Sequence, residues 1–157
     1  MTTRTLLWVD DDIRALSGLE AYLHEIGTEA DSEDGALRLR KVFTFDQAQV
    51  ELDQGGQIDL LLFDMVLMED PEHAALDRLM GIHVARRAVG KKVRRFVCYT
   101  VLSRSEVMSA WKKLEFEESQ REGNWNGVEF EYFAKNDATV KEIKVTVARM
   151  LKSLKEA

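Results

Sequence analysis

Hydrophobic positions along the chain follow two alternating periods. Short continuous apolar runs, Leu6-Leu7-Trp8-Val9 and Ile58-Asp59-Leu60-Leu61-Leu62-Phe63, are bounded by polar turns. Such runs read as strands buried on both faces by helices, and strands of that kind belong to parallel sheets. Ala36 to Phe43 gives another strand with mixed alternation, and Arg94 to Thr100 and Val128 to Ala134 two more. Between them apolar residues recur every three or four positions, the helical period. Leu16, Leu19, Leu23 and Ile26 mark a helix that Asp12 can cap and Gly27 can stop. Thr44 with Gln47 resembles a capping box, opening a helix to about Gln54. A further helix is expected from about Ile82 to Ala88. Ser103 with Glu106 opens one carrying Val107, Met108, Trp111 and Leu114 on one face, and the polar run Glu115 to Gly127 either extends it or loops out. Thr139 with Glu142 opens the last, with Val140, Ile143, Val147, Met150 or Leu151, and Leu154 as its stripe. Five strand–helix units predict an α/β three-layer sandwich, doubly wound around a parallel sheet.

Composition narrows the class. The 157 residues fit a single domain, 1–157, large enough to bury a proper core. With 45% hydrophobic and 32% charged residues the chain reads as globular. No long apolar window and no signal-like N-terminus are visible, so a cytoplasmic location without a membrane is expected. The net charge of −6 argues against nucleic acid as a partner of the bulk surface. Cys98, the only cysteine, sits in the apolar run Phe96-Val97-Cys98-Tyr99 and reads as a buried thiol. Trp8, Trp111 and Trp125 read as packing residues, and His24, His73 and His83 have no metal-triad spacing.

Chemistry enters at the strand ends. The first strand runs into Asp10, Asp11 and Asp12, and the third into Asp64. In open α/β sheets the C-terminal ends of strands form the ligand edge. If the two strands are neighbours, several carboxylates share one small volume, and a cation must offset their repulsion.

Taken together, Leu7-Trp8-Val9-Asp10-Asp11, Asp64 after an apolar third strand, Thr100 ending the fourth and Lys135 ending the fifth resemble the receiver domains of two-component response regulators. The resemblance covers nearly the whole chain. It implies a flavodoxin-like five-stranded sheet of order 2-1-3-4-5, which places strands one and three side by side. It also implies that Asp64 is the phosphoacceptor, receiving a phosphoryl group from a histidine kinase or phosphotransfer protein. Mg2+ would be held by Asp10, Asp11, Asp64 and the Val66 backbone carbonyl, with Lys135 and Thr100 binding phosphoryl oxygens. Thr100 and Tyr132 would form the switch, acting on the surface of the fourth helix, fifth strand and fifth helix. The expectation is a stand-alone signalling protein, not an enzyme with turnover of its own, whose effector is another protein.

The pattern departs from the family at several points. Lys135 is followed by Asn136, where most receivers have a proline joined by a cis bond, which a non-proline residue forms at a cost of about 2.5–4 kcal/mol. Gly81 takes the place of the helix-opening glycine. Residues 28–35, 69–80 and 115–127 look like insertions. Two other readings compete with a working phosphoacceptor. One is a degenerate receiver acting as a phosphorylation-independent interaction module. The other is a phosphatase of the haloacid-dehalogenase type, which needs a second aspartate where this chain has Val66.

Overall fold

The structure is a computed structural model that describes residues 4–11, 18–21, 23, 37–54, 56–67, 80–122, 127–136 and 140–156. Its elements are β1 (Arg4–Val9), β2 (Leu37–Val42), α1 (Phe45–Gln54), β3 (Leu60–Phe63), α2 (Met80–Gly90), β4 (Arg95–Thr100), α3 (Arg104–Glu122), β5 (Glu129–Ala134) and α4 (Val140–Glu156). Residues 18–21 and 23 are also helical. The expected Asp12 cap, the Thr28 to Gly35 loop, most of the 69–80 segment, Trp125 and Thr139 lie outside the described residues.

All five strands are parallel, in the order β2-β1-β3-β4-β5, as expected. Side chains alternate across a strand, so each central strand feeds two cores. Leu7, Val9, Leu61, Phe63, Phe96 and Cys98 pack toward α1, α2 and α3. On the opposite face Leu6, Trp8, Leu62, Val97 and Tyr99 pack with Leu19, Leu23 and the α4 stripe of Val140, Ile143, Val147 and Met150. Helices therefore cover both faces of the sheet, which is why β3 is apolar at every position. The partly exposed edge strand β2 instead alternates with arginine and lysine.

Local chemistry sets the boundaries. The Thr44 hydroxyl accepts from the Gln47 amide at 3.1 Å, and the Gln47 side chain returns to the Phe43 amide at 2.7 Å. Ser103 and Glu106 satisfy each other's backbone N–H, the reciprocal arrangement of a capping box. The polar run after Glu115 continues α3 through Glu122. The helix expected from about Ile82 begins earlier, at Met80, because the Gly81 amide finds the Met65 carbonyl at 3.0 Å. No described helix is long and apolar enough to cross a membrane.

At the N-terminal edge of the sheet, buried Asp59 fixes how β1 and β3 meet. Its carboxylate accepts from the Thr5 amide at 2.8 Å, while its own amide donates to the Thr5 carbonyl at 2.9 Å. That pairing sets the register Val9 opposite Phe63, so the two residues that follow, Asp10 and Asp64, emerge side by side.

Gly81 sets the other wall. A Cβ there would lie 2.0 Å from the Asp64 carbonyl oxygen and 2.6 Å from the Met65 Cα, both backbone atoms that cannot swing aside. Gly81→Ala is therefore expected to lose about 1–3 kcal/mol in urea denaturation through overpacking. Gly90→Ala, with nothing within 4 Å of the new methyl group, should gain about 0.4–1 kcal/mol. Equal and small effects at both positions would contradict the close approach of α2 to the end of β3.

Candidate functional site

The site is built from residues just past the ends of three strands. The backbone ladder continues one step beyond β3, where the Asp64 amide donates to the Val9 carbonyl at 2.9 Å. The Asp10 amide reaches the Val42 carbonyl at 3.1 Å, and the Lys135 amide reaches the Thr100 carbonyl at 2.8 Å. These bonds hold the roots of Asp10, Asp64, Thr100 and Lys135 in fixed relation along one edge.

Carboxylate oxygens of Asp10, Asp11 and Asp64 lie within 4.8 Å of one another. Three such groups repel strongly unless cations intervene. Lys135 supplies one: its ammonium lies 2.9 Å from Asp10 and 2.9 Å from Asp64. The lysine side chain is 7% exposed, and those of Asp10 and Asp64 are 1% and 5% exposed, so the triad is nearly water-free. Burial pushes the Lys135 ammonium toward neutrality, but the Asp64 and Asp10 carboxylates outweigh it and hold its pKa above the ordinary lysine value. The Asp64 carboxylate also accepts from the Val66 amide at 3.1 Å, which fixes its rotamer.

Asn136 follows Lys135 where most receivers have a proline. The described peptide bonds are all trans, including Lys135-Asn136, and the ammonium nonetheless reaches both carboxylates. Adjacent parallel strands stand roughly 4.8 Å apart, so to reach Asp64 the lysine crosses the end of β4. There it passes over the Tyr99 ring, its ammonium 5.6 Å from the ring centroid. Tyr99 was not singled out from sequence, because an aromatic residue in an apolar strand reads as core.

Thr100 is fully buried, and its hydroxyl accepts a long 3.5 Å bond from the Leu102 amide. The Tyr132 hydroxyl donates to the carbonyl of the same Leu102 at 2.6 Å. Threonine and tyrosine are thus tied to opposite ends of one residue. Burial raises the Tyr132 phenol above its ordinary pKa, which keeps it a donor. Cys98 is buried as expected, and burial together with the Asp64 carboxylate pushes its thiol well above the usual cysteine value, leaving it inert. A separate groove between α2 and α3, lined by Ile82, His83, Arg86, Lys113, Leu114 and Glu117, shares no residue with the acid cluster.

A parallel sheet of order 2-1-3-4-5 with helices on both faces is the flavodoxin-like fold, and comparison with known proteins agrees. No protein-family model and no curated protein matches the sequence. Solved structures do. A response regulator receiver protein from Sinorhizobium medicae aligns over 96% of this chain and 95% of its own, with TM-score 0.64 and 20% identity. The N-terminal domain of a response regulator/sensory box/GGDEF 3-domain protein from Carboxydothermus hydrogenoformans aligns over 98% of each chain, with TM-score 0.63 and 17% identity. A homoserine dehydrogenase from S. aureus aligns with TM-score 0.53 and 10% identity, over 85% of this chain but 34% of its own. The fold is therefore that of response regulator receiver domains, matched across nearly their whole length.

The buried triad makes a stability prediction. Replacing Lys135 by Met leaves two adjacent buried carboxylates without their ammonium, and metal-free stability should fall by about 3–5 kcal/mol in denaturant unfolding. A raised lysine pKa stabilises the folded state fully below the ordinary value of 10.5 and loses that contribution as pH climbs through the higher folded value. The gap between wild type and Lys135→Met should thus hold constant from neutral pH to about 10 and shrink above it. A gap that widens with rising alkalinity would contradict the ion pairs.

Proposed function

We propose that this chain is a phosphorylatable receiver: Asp64 accepts a phosphoryl group from a phosphohistidine of a histidine kinase or phosphotransfer protein, in a Mg2+-dependent reaction. The observation that carries the reading is the acid cluster: carboxylate oxygens of Asp10, Asp11 and Asp64 lie within 4.8 Å of one another, close enough for one divalent cation to take all three, with the Lys135 ammonium 2.9 Å from Asp10 and Asp64. The donor set also fits: Mg2+ takes hard oxygen ligands, usually one or two carboxylates with water and phosphate. Asp10, Asp11, Asp64 and the Val66 carbonyl are the residues we assign to it. Bound Mg2+ would offset the repulsion between the acids and an incoming phosphoryl group.

The chain's own residues do the rest. An Asp64 carboxylate oxygen attacks phosphorus from a rotamer held by the Val66 amide. The new P–O bond forms as the P–N bond to the donor imidazole breaks; the electron pair stays on that nitrogen, which picks up a proton from water. Lys135, already beside Asp64, pairs with the phosphoryl oxygens, and the Thr100 hydroxyl donates to another. Turning toward the phosphoryl group costs Thr100 its weak bond from Leu102. Because Tyr132 is anchored on the same residue, the loop after β4 and the β5 surface respond together. Exposed Phe116 on α3 and Val145 on α4 suit an effector protein docking on the α3, β5 and α4 face. The chain acts as a signalling protein in the cytoplasm, with no turnover beyond its own phosphorylation and dephosphorylation.

A second reading draws on one specific observation. The Lys135 ammonium bridges Asp10 and Asp64 as in a structural ion pair, an arrangement that would serve a phosphorylation-independent interaction module equally well. A dinucleotide-binding role like that of a dehydrogenase fits poorly. The turn after β1 begins Asp10-Asp11, so a pyrophosphate there would meet carboxylates in place of glycine amides.

Incubation with acetyl phosphate or phosphoramidate separates these readings. Mass spectrometry of the intact protein should show one added phosphate that requires Mg2+, maps to Asp64 and disappears in Asp64→Asn. Labelling that survives Asp64→Asn, or the absence of labelling at saturating Mg2+, would overturn the phosphoacceptor role.

A further inference from the structure

The site assigns Lys135 two tasks that conflict. Its ammonium is held by Asp10 and Asp64, at 2.9 Å each. Those are the carboxylates that a divalent cation must take. A cation there would compete with the ammonium for the same carboxylate oxygens and would weaken its hold before any phosphoryl group arrives. Its stem starts at the end of β5 and crosses β4, so nothing in the backbone ladder confines its far end.

One contact of the ammonium is indifferent to that exchange. The Tyr99 ring lies under the ammonium at 5.6 Å from its centroid. Tyr99 is itself buried and packed in the apolar layer with Trp8, Val97, Val140 and Ile143, so the ring cannot swing away. A ring face within about 6 Å of a cation attracts it, most strongly where water is excluded. The ring is neutral and is not a metal ligand, so it keeps its hold when the carboxylates turn to the cation.

We propose that Tyr99 is a positioning residue: its ring holds the Lys135 ammonium over the site while Mg2+ occupies the carboxylates, so that the lysine meets the phosphoryl group already aimed. The inference deepens the phosphoacceptor reading and rests on it for its kinetic consequence. It also accounts for a lysine that stays aimed with a trans peptide bond following it. A smaller apolar side chain at position 99 would fill the core but offer the cation no π-face.

Two measurements test this in the 157-residue chain. The first is NMR of the Lys135 ε-methylene group, assigned by comparison with Lys135→Arg. Protons above a ring face are shifted upfield, and that shift should persist at saturating Mg2+ and vanish in Tyr99→Leu. Its disappearance from wild type on adding Mg2+ would overturn the proposal whether or not the protein is ever phosphorylated. The second is the rate of labelling by phosphoramidate with Tyr99 replaced by Phe and by Phe carrying one, three and five ring fluorines. Each keeps the ring shape while weakening the π-face. Tyr99→Phe should retain the wild-type rate, and the most fluorinated variant should fall about tenfold, at unchanged melting temperature. Normal labelling indifferent to fluorination would sink the positioning role and leave the phosphoacceptor standing. A persistent ring shift with no labelling at all would do the reverse.

Discussion

Everything at the C-terminal edge of this sheet depends on one buried contact, the Lys135 ammonium lodged between Asp10 and Asp64. Two adjacent carboxylates at that depth repel each other, and an isolated buried ammonium is equally costly. The ammonium offsets both acids, and the acids offset it. The triad also joins strands that are far apart in the sheet, since β1 and β3 supply the acids and β5 supplies the base. It works as a latch across the active edge.

The fold makes that latch possible before any chemistry occurs. The Asp59 carboxylate on the Thr5 amide sets the register at the far end of β1 and β3, and the register brings Asp10 beside Asp64. The absence of a side chain at Gly81 lets α2 begin against the backbone of Asp64 and Met65. The β4–β5 ladder places Lys135 next to Thr100. The Lys135 ammonium lies over the Tyr99 ring, and the grouped carboxylates of Asp10, Asp11 and Asp64 could hold a metal ion.

Much of this was legible in the chain. Continuous apolar runs such as Leu60-Leu61-Leu62-Phe63 announced a covered parallel sheet, and the helix starts at Thr44 and Ser103 could be read from their capping residues. Strand order came from resemblance, because periodicity gives faces and not neighbours. The grouping of Asp10, Asp11 and Asp64 followed once β1 and β3 were adjacent. What the pattern hid was anything whose meaning depends on geometry. Asp59 reads as a polar interruption of a strand, yet it pins the register. Tyr99 reads as core, and is core, but its face also meets an ammonium. The Lys135 ammonium reaches both acids with a trans bond after it, a geometry that the missing proline alone does not reveal.

Fluorine NMR of the protein with beryllofluoride, a tetrahedral stand-in for a phosphoryl group on a carboxylate, bears most directly on the central claim. If Asp64 is the acceptor within a pocket completed by Mg2+ and Lys135, slowly exchanging bound fluorine resonances should appear only with Mg2+ present and should be lost in Asp64→Asn. Bound resonances that persist in that variant, or none at saturating Mg2+ and beryllofluoride, would contradict it.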